Sequence, residues 1–322
     1  MSTEAGERRL RVQSATWESE SVHFYTLRDP EGAELAPFTA GSHIDLHLPT
    51  GMVRSYSLTN PQDERHRYVI AVQRDRVSRG GSTWVHDRLK IGDMITIAGP
   101  RNNFPLVEDA AHSLFIAGGI GITPLWCMIQ RLAALGRPFE LYDCVRTRKE
   151  AAFLEPLKAM AERPGAKIIF NFDGEPGGKM LDIKAVVDAA APTTHLYCCG
   201  PLPMLGAFEE ATKDLPRERV HLEYFTAKEA PAAAGGFTVV LAKAGRSFVI
   251  APGKTILETL LDAGLPIPCS CLEGVCGTCE TKVLEGVPDH RDVVLTEAER
   301  KANKTMMICC SGSKSDKLVL DI

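Results

Sequence analysis

Four cysteines constrain this sequence more than any other feature. Cys271, Cys276 and Cys279 follow the spacing C-x4-C-x2-C, and Cys309 comes after a further 29 residues. Each iron of a [2Fe–2S] cluster binds two thiolates, so a tight loop that supplies three sulfurs and a distant segment that supplies the fourth suit such a cluster. The spacing therefore predicts a [2Fe–2S] site with these four cysteines as ligands.

Zinc binding, disulfide bonding and simple burial are the alternative uses of these cysteines. Zinc sites more often combine two C-x2-C pairs at short separation, and disulfide frameworks suit small secreted domains. Gly274 and Gly277 favour the iron–sulfur cluster, because glycine permits positive φ and close backbone approach, so that backbone N–H groups can reach the cluster. Cys269 and Cys310 adjoin the ligand candidates and are expected not to bind iron. Cys309 is preferred over Cys310 because its spacing from Cys279 resembles that of plant-type ferredoxins.

Length and charge limit the class of protein. With 322 residues, 44% hydrophobic and 24% charged, the chain fits two or three globular domains. A net charge of −4 without long like-charge runs argues against nucleic acid or a membrane as partner. No secretory signal is evident, and the longest uncharged run, residues 114–130, is too short to span a bilayer. Ten cysteines in such a chain indicate a reducing compartment, so we expect a cytoplasmic protein.

Residues 1–108 show short alternating runs at 42–48, 53–59, 68–74 and 93–98, separated by turn residues. Period-two alternation at this spacing predicts a small antiparallel β-barrel or sandwich. One helix is expected at residues 82–89, with Ser82 or Thr83 as its N-cap.

Residues 109–226 change to an alternation of strands and helices. Apolar runs at 114–117, 140–145, 167–172, 195–198 and 220–224 are separated by helical stretches such as 125–135 and 151–162. This order predicts a parallel sheet covered by helices, with ligands bound at the carboxyl ends of its strands. Residues 227–236 are rich in alanine, glycine and proline and predict a linker. Residues 237–322 then form a small third domain around the cysteine loop.

Two segments of the predicted barrel suit a flavin. The first supplies a guanidinium, an aromatic face and small hydroxyls, and the second combines an arginine, glycines and hydroxyls before a helix, which makes an anion site. The candidates are Arg54, Ser55, Tyr56 and Ser57 in the first, and Arg79, Gly80, Gly81, Ser82 and Thr83 in the second. An exposed arginine on a strand and an ordinary glycine loop are the alternatives. Together the segments suggest a terminal phosphate, which favours FMN over FAD.

Two glycine-containing loops follow predicted parallel strands. Residues 117–124, Ala-Gly-Gly-Ile-Gly-Ile-Thr-Pro, have the strand–loop–helix context of a nucleotide loop, although they depart from G-x-G-x-x-G. Residues 198–201, Cys-Cys-Gly-Pro, end another strand, and there Cys199 could approach a nicotinamide ring. A tight turn without ligand and a buried structural cysteine are the alternatives.

In order and across nearly the whole chain, R-x-Y-S, G-G-I-G-I-T-P, C-G-P and the cysteine loop resemble the phthalate dioxygenase reductase family, which includes vanillate demethylase reductases. The resemblance implies an FMN-binding β-barrel, an NADH-binding α/β domain and a β-grasp ferredoxin domain. It implies that Arg54, Tyr56 and Ser57 bind flavin, and that residues 80–83 bind its phosphate. It also implies a nicotinamide site lined by Gly119, Thr123, Asp173, Cys199, Gly200 and Pro201. The catalytic candidates are Ser57, Cys199 and Phe225, and of these the resemblance implies that Phe225 lies near the flavin ring.

The implied activity is an NADH-dependent oxidoreductase that passes electrons through FMN and a [2Fe–2S] cluster to a terminal oxygenase of Rieske type. NADH releases two electrons as a hydride and the cluster accepts one, so a flavin between them fits the chemistry. We expect a monomer that is the reductase component of an aromatic dioxygenase or demethylase. A cytochrome P450 as acceptor and a non-enzymatic iron–sulfur sensor or carrier are the alternatives.

Overall fold

The computed structural model describes residues 6–78 and 80–322. The chain divides into two compact units, of which the first ends at Glu223 and the second comprises Tyr224–Ile322. Within the described residues, no helix has the length and apolar character needed to cross a bilayer.

The first unit begins with a six-stranded antiparallel sheet. Its strands lie in the order β4-β3-β6-β1-β2-β5, and a bridge between Leu58 and Ile70 joins the two ends of the sheet, so that it closes into the predicted barrel. The elements are β1 (Arg8–Trp17), β2 (Val22–Arg28), β3 (His43–His47), β4 (Val53–Ser57), β5 (Tyr68–Gln73), α1 (Gly81–Arg88) and β6 (Met94–Arg101).

The expected helix is present, but its N-cap prediction is wrong. Gly80 is the N-cap, with φ 97°, and helix α1 has no side-chain cap. The Ser82 hydroxyl instead accepts a hydrogen bond from the Asp75 N–H at 3.2 Å. Because glycine has no side chain to occupy them, the first N–H groups of α1 are left for another acceptor.

A five-stranded parallel sheet completes the first unit, as predicted. Its order is β11-β10-β7-β8-β9. Strands β8 and β9 therefore extend the sheet on one side of β7, and β10 and β11 extend it on the other side. The direction of winding therefore reverses between β7 and β10. The elements are β7 (His112–Gly118), α2 (Ile122–Ala134), β8 (Phe139–Val145), α3 (Leu154–Ala161), β9 (Ala166–Phe172), α4 (Ile183–Asp188), β10 (Thr194–Cys199), α5 (Leu202–Thr212) and β11 (Val220–Glu223).

The second unit contains a five-stranded mixed sheet in the order β13-β12-β18-β14-β16. Helix α6 begins with a capping box, in which Thr255 and Glu258 satisfy each other's backbone N–H groups. The elements are β12 (Thr238–Leu241), β13 (Arg246–Val249), α6 (Ile256–Asp262), β14 (Glu280–Glu285), β15 (Pro288–Asp289), α7 (Glu297–Ala302), β16 (Thr305–Met307), β17 (Gly312–Ser313) and β18 (Lys317–Leu320).

Part of the segment predicted as a linker packs onto the second unit. The Ala232 N–H donates to the Cys310 carbonyl at 2.8 Å, and the Gly236 N–H donates to the Ile250 carbonyl at 2.8 Å. A Cβ on Gly312 would lie 2.7 Å from the Ala232 Cβ. Residues 232–236 are therefore held by backbone hydrogen bonds, in contrast to a freely extended connection.

Candidate functional site

The four predicted iron ligands come together in the second unit. The Cys271 thiol interacts with Cys276 and Cys309, and the Cys279 thiol interacts with Cys309. Hydrogen bonds from these neighbours lower the pKa of Cys271 and of Cys279, which favours the thiolate form that binds metal. The same contacts raise the pKa of Cys309, because its thiol is the donor. On cluster binding, iron would replace these thiol protons.

The backbone of the cysteine loop is shaped for this convergence. Leu272, Gly274 and Gly277 all have positive φ, at 61°, 71° and 76°. The N–H groups of Glu273 and Val275 point at the Cys271 sulfur at 3.4 and 3.5 Å. Backbone N–H groups are thus directed at a candidate ligand sulfur, and their donation to the cluster stays a prediction.

Cys310 has a packing role beside the loop. A Cβ on Gly274 would lie 2.4 Å from the Cys310 sulfur, and that thiol points at the Met307 carbonyl at 3.7 Å. Across residues 6–78 and 80–322, no three Cys, His, Asp or Glu side chains surround a position for a single metal ion. A binuclear cluster does not require one, since each iron takes two thiolates and shares bridging sulfides.

The flavin candidates of the barrel meet at the start of α1. A Cβ on Gly81 would lie 2.5 Å from Nε of Arg54, so the absence of a side chain at Gly81 lets the Arg54 side chain cross the start of the helix. Nη1 of Arg54 donates to the Val53 carbonyl at 2.8 Å, which holds the guanidinium on the strand. An arginine beside an uncapped helix N-terminus is an anion site, and it fits the phosphate of a flavin.

The remaining barrel candidates differ in their surroundings. Tyr56 packs against the core, and burial raises the pKa of its hydroxyl. Ser57 is buried, whereas the Ser55 hydroxyl donates to Asp45 at 2.6 Å. Thr83 lies in the first turn of α1. Arg79 lies outside the described residues.

Three glycines let two loops of the parallel sheet touch backbone to backbone. A Cβ on Gly121 would lie 2.1 Å from the Cys199 carbonyl oxygen, and a Cβ on Gly118 would lie 2.5 Å from Pro201 and 3.1 Å from Gly200. These loops follow β7 and β10, where the winding of the sheet reverses. Open α/β sheets bind nucleotides in the crevice at that point, so the arrangement fits a dinucleotide.

The other nucleotide candidates also lie at the carboxyl edge of the sheet. Gly119 has φ 53° and opens the turn before α2. Thr123 is buried, and its hydroxyl donates to the Ile120 carbonyl at 2.9 Å, so it fastens the loop. Asp173 follows β9, and its N–H donates to the Val145 carbonyl at 3.2 Å. Their contacts with a nucleotide stay predictions.

Cys199 is completely buried and has a neighbour that the motifs did not reveal. It is in register with Glu223 on β11 and with Ala117 on β7. Burial and the nearby Glu223 carboxyl raise the pKa of Cys199, so the thiol is neutral. Burial also raises the pKa of Glu223 to about 8, and its Oε2 atom has no hydrogen-bond partner in the described part of the chain. Glu223 thus joins the candidates. Its position at the end of the last parallel strand was the only available signal.

Phe225 belongs to the second unit, two residues after β11, and 37% of its surface is exposed. Its predicted position near the flavin ring stays a prediction, as do the catalytic roles of Ser57 and Cys199.

Three family models match consecutive parts of the chain. An oxidoreductase FAD-binding domain matches residues 9–105, an oxidoreductase NAD-binding domain matches 115–210, and a 2Fe-2S iron-sulfur cluster binding domain matches 239–313. The predicted flavin, nicotinamide and iron–sulfur cofactors are therefore confirmed as cofactor classes.

Relatives extend over almost the whole chain. Phenoxybenzoate dioxygenase subunit beta of Ectopseudomonas oleovorans is 53% identical over 97% of each chain. A solved phthalate dioxygenase reductase is 40% identical, with a TM-score of 0.75 over 98% of each chain. An intact type IV self-sufficient cytochrome P450 monooxygenase is 37% identical, with a TM-score of 0.85 over 98% of this chain but only 41% of that longer protein.

Proposed function

Because the chain belongs to the phthalate dioxygenase reductase family, we propose that it is the reductase component of a two-component aromatic dioxygenase or demethylase with a Rieske-type oxygenase. It takes electrons from NADH and passes them through FMN and the [2Fe–2S] cluster to that oxygenase. The observation that carries the proposal is the convergence of four cysteine thiols in a unit that follows a flavin barrel and a nucleotide sheet in one chain.

Bound flavin and cluster supply the conversion of one hydride into single electrons. The side chains of this chain bind and orient those groups. Arg54 and the first N–H groups of α1 hold the flavin phosphate, and Tyr56 offers its ring to the flavin. On this proposal the phosphate bound there is the end group of the ligand. FMN ends in a phosphate, which supports FMN as the flavin.

The crevice between the β7 and β10 loops holds the dinucleotide. Gly118, Gly121 and Gly200 allow the two loops to pack against each other and so fix the shape of this crevice. Cys199, which is buried, and Glu223, which is partly buried, are both in their neutral forms at pH 7, so neither places a charge at this end of the sheet. A neutral surface of this kind suits the binding of NADH, because its dihydronicotinamide ring carries no charge.

The coenzyme is NADH on this proposal. Arg146, Arg148 and Lys149 follow β8, where the adenosine ribose of a dinucleotide commonly lies. Arg148 pairs with Glu175 at 3.2 Å and lies over the Phe172 ring at 4.7 Å. A 2′-phosphate bound to Arg148 would lie close to the Glu175 carboxylate, and repulsion between the two negative charges disfavours NADPH.

Each domain predicted from the sequence binds one cofactor. Residues 1–108 bind flavin, residues 109–226 bind NADH, residues 237–322 bind the cluster, and residues 227–236 connect the last two domains. The protein acts as a monomer in the cytoplasm, where its ten free cysteines stay reduced.

A cytochrome P450 is the second candidate acceptor, and the similarity to the self-sufficient P450 favours it. Reconstitution of the purified chain with a Rieske oxygenase and with a P450 haem protein separates the two acceptors by which one turns over its substrate.

Anaerobic addition of NADH tests the redox function itself. The holoprotein should contain two irons, two sulfides and one FMN per chain, and NADH should bleach the flavin and produce the electron paramagnetic resonance signal of a reduced [2Fe–2S] cluster. A sensor or carrier without a working nicotinamide site would keep the cluster oxidised, which would refute the proposal.

A further inference from the structure

A basic cavity of about 330 Å³ opens in the second unit, apart from the cofactor residues. No carboxylate is among its lining residues, which are three cations, a histidine, an asparagine and two apolar residues: Arg300, Lys301, Lys314, His290, Asn303, Val287 and Pro288. The unit as a whole is not basic, since residues 224–322 contain eleven Lys and Arg against twelve Asp and Glu. The positive charge is therefore concentrated locally.

The two lysines of this basic pocket are only loosely paired. Nζ of Lys301 lies 3.6 Å from Glu297, and Nζ of Lys314 lies 3.9 Å from Asp289. Charge-assisted hydrogen bonds are shorter, at about 2.7–2.9 Å. The Asp289 carboxylate is already held by two Arg291 nitrogens at 2.8 and 3.0 Å. Both ammonium groups can therefore turn to an incoming anion without breaking a close ion pair.

The inner wall of the basic pocket is fixed in advance. The His290 side chain is 7% exposed, and its Nε2 lies 3.2 Å from the Asn303 side-chain oxygen. Its Nδ1 faces the buried Asp292 carboxylate, whose Oδ1 lies 3.8 Å away. Nε of Arg300 donates to the Leu295 carbonyl at 3.2 Å. These contacts hold the inner wall in place, so a ligand would meet a preorganised surface.

The basic pocket is connected to the cysteine loop through Asp292. Arg300 donates to the Asp292 carbonyl, and a Cβ on Gly274 would lie 3.0 Å from the Asp292 Cα. The Asp292 carboxylate is fully buried and accepts hydrogen bonds from two backbone N–H groups at 3.0 and 2.8 Å. On the other wall, Lys314 is five residues from Cys309, a span of at most roughly 17 Å. A group bound here lies close to the electron exit.

The surroundings fit a protein as occupant better than a small anion. The Lys301 and Lys314 side chains are 81% and 64% exposed, so they point outward from the basic pocket. Apolar side chains are exposed beside it and on the cysteine loop: Val287, Leu272 and Val294. The Val294 side chain lies 3.6 Å from the Cβ position of Gly277. A free anion would not use these apolar groups, whereas a docked protein would cover them.

We propose that this basic pocket receives carboxylate side chains of the electron-accepting protein and so docks the acceptor beside the cluster. The inference rests on the proposed function, because it requires an acceptor. Docking through charge fixes the orientation of the partner and speeds its association at low salt.

The test compares Lys301→Glu/Lys314→Glu with Lys243→Glu/Lys254→Glu in the full-length holoprotein. The control pair makes the same charge change on surface lysines of the same unit that lie outside the basic pocket and are paired with Asp321 and Asp262. Acidic cytochrome b5 serves as the probe acceptor, and basic cytochrome c and inorganic phosphate are the comparison probes. Binding of oxidised cytochrome b5 is measured by calorimetry, and its reduction is measured with NADH.

At about 50 mM salt the pocket variant should bind cytochrome b5 at least about tenfold more weakly, the control should change less than about twofold, and the loss should shrink at about 0.5 M salt. Cytochrome c reduction should stay the same or rise. Equal losses in the two variants, or no loss in the pocket variant, would overturn the proposal. Competitive displacement of cytochrome b5 by phosphate at fixed ionic strength would also overturn it, in favour of a small-anion site. Cluster reduction by NADH in every protein shows that the proposed function holds independently.

Discussion

Replacement of Gly121 by alanine tests the crevice between the two loops of the parallel sheet. The new Cβ would lie 2.1 Å from the Cys199 carbonyl oxygen, and real Cβ atoms do not approach closer than 3.0 Å. The loops must therefore separate by at least about 0.9 Å. Both atoms in conflict are close to the backbone, so a side-chain rotation cannot relieve the overlap.

Overpacking of this kind costs about 1–3 kcal/mol of folding free energy. A displacement of about 1 Å at a site that positions reacting groups lowers the rate roughly 10²-fold. We expect Gly121→Ala to retain FMN, because the barrel is untouched, and to lose roughly 10²-fold in kcat/KM for NADH with ferricyanide as acceptor. Urea unfolding and stopped-flow absorbance measure the two effects.

Gly206→Ala is the matched control. Gly206 lies in α5, and a Cβ there would meet nothing within 4 Å. This variant should be more stable by about 0.5–1 kcal/mol, with unchanged kinetics, because alanine is the better helix former. Wild-type NADH kinetics in Gly121→Ala, or an equal loss in Gly206→Ala, would refute the crevice as the nucleotide site.

Three further predictions concern the flavin, the coenzyme and pH. Arg54→Ala should weaken flavin binding by about 2–3 kcal/mol, or roughly 30- to 160-fold in Kd, measured by fluorescence of released flavin, whereas Arg88→Ala at the other end of α1 should not. Specificity constants should favour NADH over NADPH, since a 2′-phosphate must displace the exposed Arg148–Glu175 pair, worth about 0–1 kcal/mol; a preference for NADPH of about tenfold or more would contradict this. Burial raises the pKa of Asp143 to about 7. The folded protein thus keeps a proton that the unfolded chain loses above its ordinary pKa of 3.8, so stability falls as pH rises toward 7. Asp143→Asn should gain stability over wild type by up to about 1.4 kcal/mol per pH unit across that range. Equal differences in urea midpoint at pH 5 and pH 8 would contradict it.

Long-range architecture was predictable where one physical signal dominated. The inner strands of the parallel sheet, β7, β8 and β10, are largely buried, so they are predicted by apolar runs, and the predicted and observed bounds agree within about two residues. The convergence of Cys271, Cys276, Cys279 and Cys309 was predictable because their spacing matches the ligand pattern of plant-type clusters. Both inferences depend on residues close in sequence or on one repeated pattern.

Features that depend on distant residues were not predictable. Burial alternates along the first half of β1, but only Leu10 and Val12 on its buried face are apolar, so the sequence signal of this strand is short. Glu223 has no motif, and its proximity to Cys199 arises from strand register. The basic pocket joins three segments between residues 287 and 314, which only the folded chain brings together. The absence of a side-chain cap on α1 was missed because serine usually favours that position.

Electron exit through the cluster is the central claim, and a pair of cysteine variants tests it most directly. Cys309→Ser should lose the cluster and keep NADH oxidation with ferricyanide. Its rate of cytochrome c reduction should fall to about a few per cent of the wild-type rate, because its one-electron exit is missing. Cys310→Ser should keep two irons per chain and reduce cytochrome c as the wild type does. If Cys309→Ser still reduces cytochrome c at the wild-type rate, or if Cys310→Ser is the variant that loses the cluster, the account of the ligands and of the electron path is wrong.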